Sequence, residues 1–247
     1  MISHEPRCIY DVNPLAEVIC QLRFPEILSI QANIPAAFQE EIRHVFPKYT
    51  VRTETLPGKT PPGNNYQFVS ADGTWRVNLT SKFISLSCCK YTNWELFARM
   101  LDKPLAAFIQ IYKPAYFERI GLRYVNFISR RDLHLENVPF RDLIEPCYLG
   151  ILSEDDVLET ATSRCSVDVE TALRGGCRVK IHAGPGNINR NGKLDPEVKF
   201  IFDQDLFMSG NIPVNTSAGA LQTLHSQSYG IFRGAITDML HDALGAN

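Results

Sequence analysis

The sequence predicts an α+β fold: an antiparallel sheet of about eight strands from two pseudo-repeats of order β-α-β-β-β-α, with long helices on one face. Three observations carry that expectation. Short runs of alternating apolar and polar residues recur between turn signals rich in Gly, Pro and Asn. Two long stretches, about 93–112 and 217–244, repeat their apolar residues at helical spacing. Leu22-Arg23-Phe24 returns as Leu122-Arg123-Tyr124, at the same place in the order of elements.

Residues 16–24 alternate as a strand, and Pro25 closes it. Asn33 reads as an N-cap for a helix bearing Phe38, Ile42, Val45 and Phe46 on one stripe, with Pro35 near its first turn and Pro47 ending it. Residues 55–65, with Pro57, Gly58, Pro61, Pro62 and Gly63, read as an exposed loop. Strands follow at 66–71, 74–80 and 82–89, the first two joined by Ala71-Asp72-Gly73. Thr92 or Asn93 opens the helix of Trp94, Phe97, Leu101, Leu105, Phe108 and Tyr112, in which Pro104 predicts a kink or a brief restart. The second half begins with the clearest strand, 116–129, then a short helix near 139–145 and strands at 162–173, 176–183 and 196–207. Gly175-Gly176 and the 184–195 segment supply the turns, and Thr216 or Ser217 caps a last helix running to about 244. The chain is thus expected to be a single domain, 1–247, with pseudo-repeat halves 10–113 and 114–247.

Bulk properties narrow the class. The 247 residues carry 25 Lys and Arg against 27 Asp and Glu, so no global field attracts nucleic acid or anionic lipid. No apolar run is long enough to span a bilayer, and the opening residues lack the basic-then-apolar order of a signal peptide. The seven cysteines show neither zinc-knuckle nor C-x-x-C spacing and are expected to be free, mostly buried thiols. A cytoplasmic location is therefore expected, with no membrane association.

Strand parity then sorts the side chains. Ile120, Leu122, Tyr124 and Ile128 take one side of the central strand, and Arg119, Gly121 and Arg123 the other. The same alternation sends Arg23, Arg76, Arg164, Arg178, Lys180 and His182 away from the core, with Asp168 and Glu170 among them. One reading is a solvated face of cross-strand ion pairs, each worth about 0.2–1 kcal/mol. The other is a shallow basic saddle for an acidic protein or nucleic acid, arginine suiting bidentate contact to carboxylate or phosphate. Phe117 and Phe127 are the aromatics the central strand offers such a face for base stacking.

The usual catalytic motifs do not occur: no Walker loop, no dinucleotide fingerprint, no G-x-S-x-G, no H-E-x-x-H. His225 and His241 read as a polar helix face, and Glu154-Asp155-Asp156 as a solvated turn. Asp203 and Asp205 share one side of a strand but lack a third ligand, so neither a metal nor a cofactor is expected.

Three blocks carry a resemblance: Asn13-Pro14-Leu15-Ala16-Glu17-Val18 with Leu22-Arg23-Phe24, Phe117 to Asn126 around Arg-Ile-Gly-Leu-Arg-Tyr, and Leu224-His225 with Phe232 and Ile236-Thr237. Together they resemble an uncharacterised, sporadically distributed bacterial family of about 250 residues, and the resemblance covers nearly the full chain. It implies a bacterial cytosolic protein built from one duplicated unit and brings no catalytic residues. Its scattered distribution associates it with defence or stress cassettes. The functional expectation is a non-enzymatic binding protein that engages a protein or nucleic-acid partner through Arg23, Arg76, Arg119, Arg123, Arg164, Arg178, Lys180 and His182. The alternatives are a hydrolase-like enzyme with a site at the junction of the halves, or a scaffold subunit working through its edges and the 55–65 loop.

Overall fold

The computed structural model describes residues 2–54, 63–190 and 192–246. Among them a nine-stranded antiparallel sheet forms, in the order β2-β3-β4-β5-β1-β6-β9-β8-β7, with six α-helices. The strands are β1 Leu15–Arg23, β2 Lys48–Glu54, β3 Gly63–Val69, β4 Trp75–Leu79, β5 Phe83–Cys88, β6 Phe117–Ile128, β7 Val167–Ala172, β8 Arg178–Arg190 and β9 Lys193–Ile212. The helices are α1 Leu28–Ala32, α2 Ala36–Ile42, α3 Trp94–Tyr112, α4 Phe140–Leu143, α5 Ser217–Arg233 and α6 Asp238–Ala243. The α+β class is as the sequence predicts. The strand count is nine rather than about eight, because Lys48–Glu54, between a proline and a Pro/Gly-rich stretch, pairs with β3 from Lys48↔Val69 to Thr53↔Asn64.

The chain divides into two compact units. One comprises 17–122 and 207–222. Its core forms on the side of the sheet where Val18, Cys20, Leu22, Phe68, Val77, Leu79, Ile84 and Leu86 project, and α2 and α3 pack there. Phe24 meets Phe108 at 4.6 Å between ring centroids, Phe38 meets Phe68 at 5.4 Å, and Trp75 meets Phe97 at 5.8 Å. These rings anchor α3, which runs as one 19-residue helix through Pro104 without the restart the proline allowed. Its N-cap is Asn93, whose side chain accepts from the Leu96 N–H at 2.8 Å. Asn33 instead ends α1, and Pro35 stands at the start of α2. Gly73, at φ 78°, closes the β3–β4 hairpin where a side chain would strain the backbone. Of the expected 55–65 loop, 55–62 lie outside the described residues and 63–65 belong to β3.

The other unit comprises 1–16, 123–206 and 223–247. Its core gathers Tyr124, Phe140, Tyr148, Phe200, Phe202, Leu224 and Phe232, with Phe140–Phe200 at 5.4 Å and Tyr148–Phe202 at 5.2 Å. Residues 184–190 and 193–195, expected as a turn, extend β8 and β9. The strand expected from 162 begins only at Val167. The last helix is two helices: Ile236 forms an isolated bridge with Ile144, the Thr237 N–H donates to the Leu143 carbonyl, and Thr237 then caps α6. The apolar stripe continues on both sides of this break, which is why the pattern reads as a single helix. No helix among the described residues is long and apolar enough to cross a membrane.

Candidate functional site

The central strand shows the alternation the sequence implies: Ile120, Leu122, Tyr124 and Ile128 are buried, while Arg123 is exposed. Phe117 departs from it. It is fully buried, not an exposed stacking platform, and Phe127 is half-buried.

Of the eight basic positions, three lie in the unit of residues 17–122 and 207–222. Arg23 donates through Nε to Gln21 at 2.9 Å. Arg76 is exposed, paired in register with Val69 and Ser87. The Arg119 guanidinium lies 4.5 Å over the Phe207 ring. It crosses Gly121, where a Cβ would collide with it, so the central Arg-Ile-Gly motif is a packing device in which glycine clears the path of the arginine. Beside these residues runs a polar row: Gln67 donates to Asn78 at 3.0 Å, and Asn78 donates to Ser85 at 3.2 Å.

The other five lie in the unit of 123–206. Arg164 is exposed but precedes β7, so strand parity does not govern it. The remaining four, Arg123, Arg178, Lys180 and His182, meet acids across the sheet. The β7–β8 register sets Asp168 opposite His182 and Glu170 opposite Lys180. The Asp168 carboxylate lies 2.8 Å from His182 Nδ1. Glu170 takes Arg178 at 3.0 Å and Lys180 at 3.3 Å, and these charge-assisted bonds hold its carboxyl below the usual glutamate range. Arg123 makes a two-pronged pair with Asp203 on β9, with Nε to Oδ1 at 2.8 Å.

These pairs surround a depression of about 420 Å³ lined by Arg123, Asp168, Glu170, Lys180, His182, Asp203 and Asp205, with Val169 and Ile181. Three of the eight basic positions thus line one depression, with Arg178 at its edge. Asp203 and Asp205 belong to it too. They share one side of β9 as their spacing implies, and among the described residues no group of three or more His, Cys, Asp or Glu is placed to hold a metal ion. The lining carries four carboxylates against Arg123, Lys180 and His182. Around this depression the basic side chains are paired with acids. The sequence places Asp203 and Asp205 on one side of a strand but not beside Arg123, because the β6–β9 contact joins residues far apart in the chain.

A second polar cluster sits on α5. His225, expected on a polar helix face, is 5% exposed. Its Nδ1 is 2.7 Å from the Tyr124 hydroxyl, and its Nε2 is 2.7 Å from Arg7 Nη1. Burial first, and the Arg7 charge second, push its pKa down to about 3. His241 on α6 meets the Tyr10 hydroxyl at 3.0 Å. Around them residues 3–12 form a strap along α5 and α6: Ser3 N–H donates to Gly230, Asp11 to Gly245 and Val12 to Leu244, and Glu5 pairs with Arg233.

No protein-family model matches this chain, and no curated protein is found similar to it.

Proposed function

We propose that the protein acts by binding a macromolecular partner, and that the partner is a protein docking on the exposed face of β6, β9, β8 and β7 around the depression. The observation that carries this reading is the lattice of ion pairs Arg123–Asp203, Arg178–Glu170, Lys180–Glu170 and Asp168–His182 lining or bordering one hollow. Alternating fixed charges select a complementary pattern more than they attract net charge. Four carboxylates among the lining residues oppose a phosphate backbone, which favours protein over nucleic acid. A cytoplasmic location belongs to the same reading, supported by all seven cysteines being free. So does the pseudo-repeat: β1 neighbours β5 in the first half as β6 neighbours β9 in the second, and each half carries a long helix after its strands.

The test is the charge swap Arg123→Asp with Asp203→Arg, which keeps the ion pair and the net charge but inverts the pattern a partner meets. Wild type and swap are recovered by affinity tag from nuclease-treated host extract, with circular dichroism and melting confirming the same fold. A polypeptide retained by wild type and lost by the swap is expected. Equal recovery by both, or bound material that vanishes with nuclease, refutes the reading.

A further inference from the structure

We propose that β2 is a self-complementary sheet edge at which two copies of this chain pair antiparallel about a two-fold axis through Val51. β2 is a terminal strand in the sheet order, hydrogen-bonded to β3. Residues 48–53 are all exposed. On the side where Tyr66 and Phe68 are buried, the apolar surface continues onto β2 through Tyr49, which contacts both rings, and Val51. There it ends in solvent, with Tyr49 40% and Val51 43% exposed. A seven-residue strand edge with a half-exposed apolar row is a template for another strand.

The sequence of β2 selects the occupant. In symmetric antiparallel pairing that keeps the two helix-bearing faces on the same side, three registers engage most of the strand. Centring on Thr50 sets Lys48 opposite Arg52 of the other copy, and centring on Arg52 sets two arginines face to face. Like charges directly opposite are unfavourable. Centring on Val51 opposes Thr50 with Arg52, Tyr49 with Thr53, and Val51 with its own copy. Lys48 and Arg52 thus block the slipped registers and leave one. The other terminal strand, β7, fails this criterion: any symmetric register through its middle sets Asp168 and Glu170 against each other or themselves. The second copy therefore adds at β2, extending the sheet and covering the exposed Tyr49 and Val51. A contact of this kind is smaller than a standard interface, so the dimer is weak and reversible.

Sedimentation velocity of the full chain from about 1 to 200 μM tests this. A dimer fraction that rises with concentration is expected. Val51→Lys, which places two ammonium groups on the axis, holds the protein monomeric with an unchanged circular dichroism spectrum. Thr50→Glu, which sets a carboxylate opposite Arg52 at two symmetric points, lowers the dissociation constant several-fold. In a Cys89→Ser, Cys147→Ser background, Val51→Cys cross-links on oxidation, because directly opposed strand residues lie within disulfide reach. Thr53→Cys, placed opposite Tyr49, does not. A monomer throughout, species larger than a dimer, a dimer indifferent to Val51→Lys, or linking at position 53 equal to that at 51 each overturns the proposal.

Discussion

Acid should weaken the fold through His225 before it touches the carboxylates. A guanidinium only donates, so Arg7 fixes Nε2 of His225 as the bare nitrogen and leaves the ring proton on Nδ1, facing the Tyr124 oxygen. Protonating the ring in place puts a second N–H against Arg7 inside a buried site. The folded chain therefore takes up that proton only near pH 3, whereas the unfolded chain takes it up near 6.5. The stability this represents is complete above pH 6.5 and is lost as pH falls toward 3, at a limiting slope of about 1.4 kcal/mol per pH unit. Between pH 7.5 and 4.5 the loss comes to about 2–3 kcal/mol. Glu170 and Asp195, whose carboxyls are held low by their cationic partners, begin to lose their contributions only as pH falls through the ordinary carboxylate range, at the acid end of this window, and both proteins share that loss. Urea unfolding at the two pH values, for wild type and His225→Gln, measures the difference. The variant starts less stable but loses about 2–3 kcal/mol less on acidification. Equal losses in the two proteins would refute a buried neutral histidine, as would a ¹⁵N spectrum placing the ring proton on Nε2.

Two further substitutions probe the packing devices. Gly121→Ala pushes a methyl group into the Arg119 guanidinium; the flexible side chain yields, and losing its seat on Phe207 costs about 0.5–1 kcal/mol, read as a drop in Tm of about 1–4 °C. An unchanged Tm, or full additivity with Phe207→Leu, would show the contact to be idle. Arg233 is 7% exposed and holds Glu5, Asp238 and the Ile236 carbonyl, so Arg233→Ala should cost about 1–3 kcal/mol, toward the lower figure because both carboxylates are partly in water. It should also speed tryptic cleavage after Arg7 by loosening the strap; cleavage at the wild-type rate would mean that the backbone bonds to Gly230, Leu244 and Gly245 suffice.

Local pattern carried a large part of the architecture. Alternation at Ile120-Leu122-Tyr124 and at Trp75-Val77-Leu79 gave the correct faces because a strand's side-chain period is a local property. The Asn93 cap and the Asp72-Gly73 turn were legible for the same reason. Three features escaped because tertiary contacts decided them. β2 gains its pairing from β3, across the Pro/Gly-rich stretch. α3 continues as one helix through Pro104, with Phe97 and Phe108 packed on Trp75 and Phe24 either side of it. The gap between α5 and α6 is held open by Leu143 and Ile144, about ninety residues upstream.

The candidate site shows where that boundary falls. Parity can say that Arg123 and Lys180 leave the core, but not which residues meet them. Register decides that, and here it sets Asp203 beside Arg123 and Glu170 opposite Lys180. Bases that look unopposed along the chain are thus neutralised across it. Their exposed ion pairs contribute little to stability, about 0–1 kcal/mol each. In the proposed reading, such a row of charges serves by the pattern it presents rather than by what it holds together. Deleting one charge confuses the two roles, since it unpairs a neighbour as well as altering the surface. Exchanging Arg123 with Asp203 separates them: if the surface is only a solvated ladder, the exchanged protein should be indistinguishable from wild type in stability and in everything it binds.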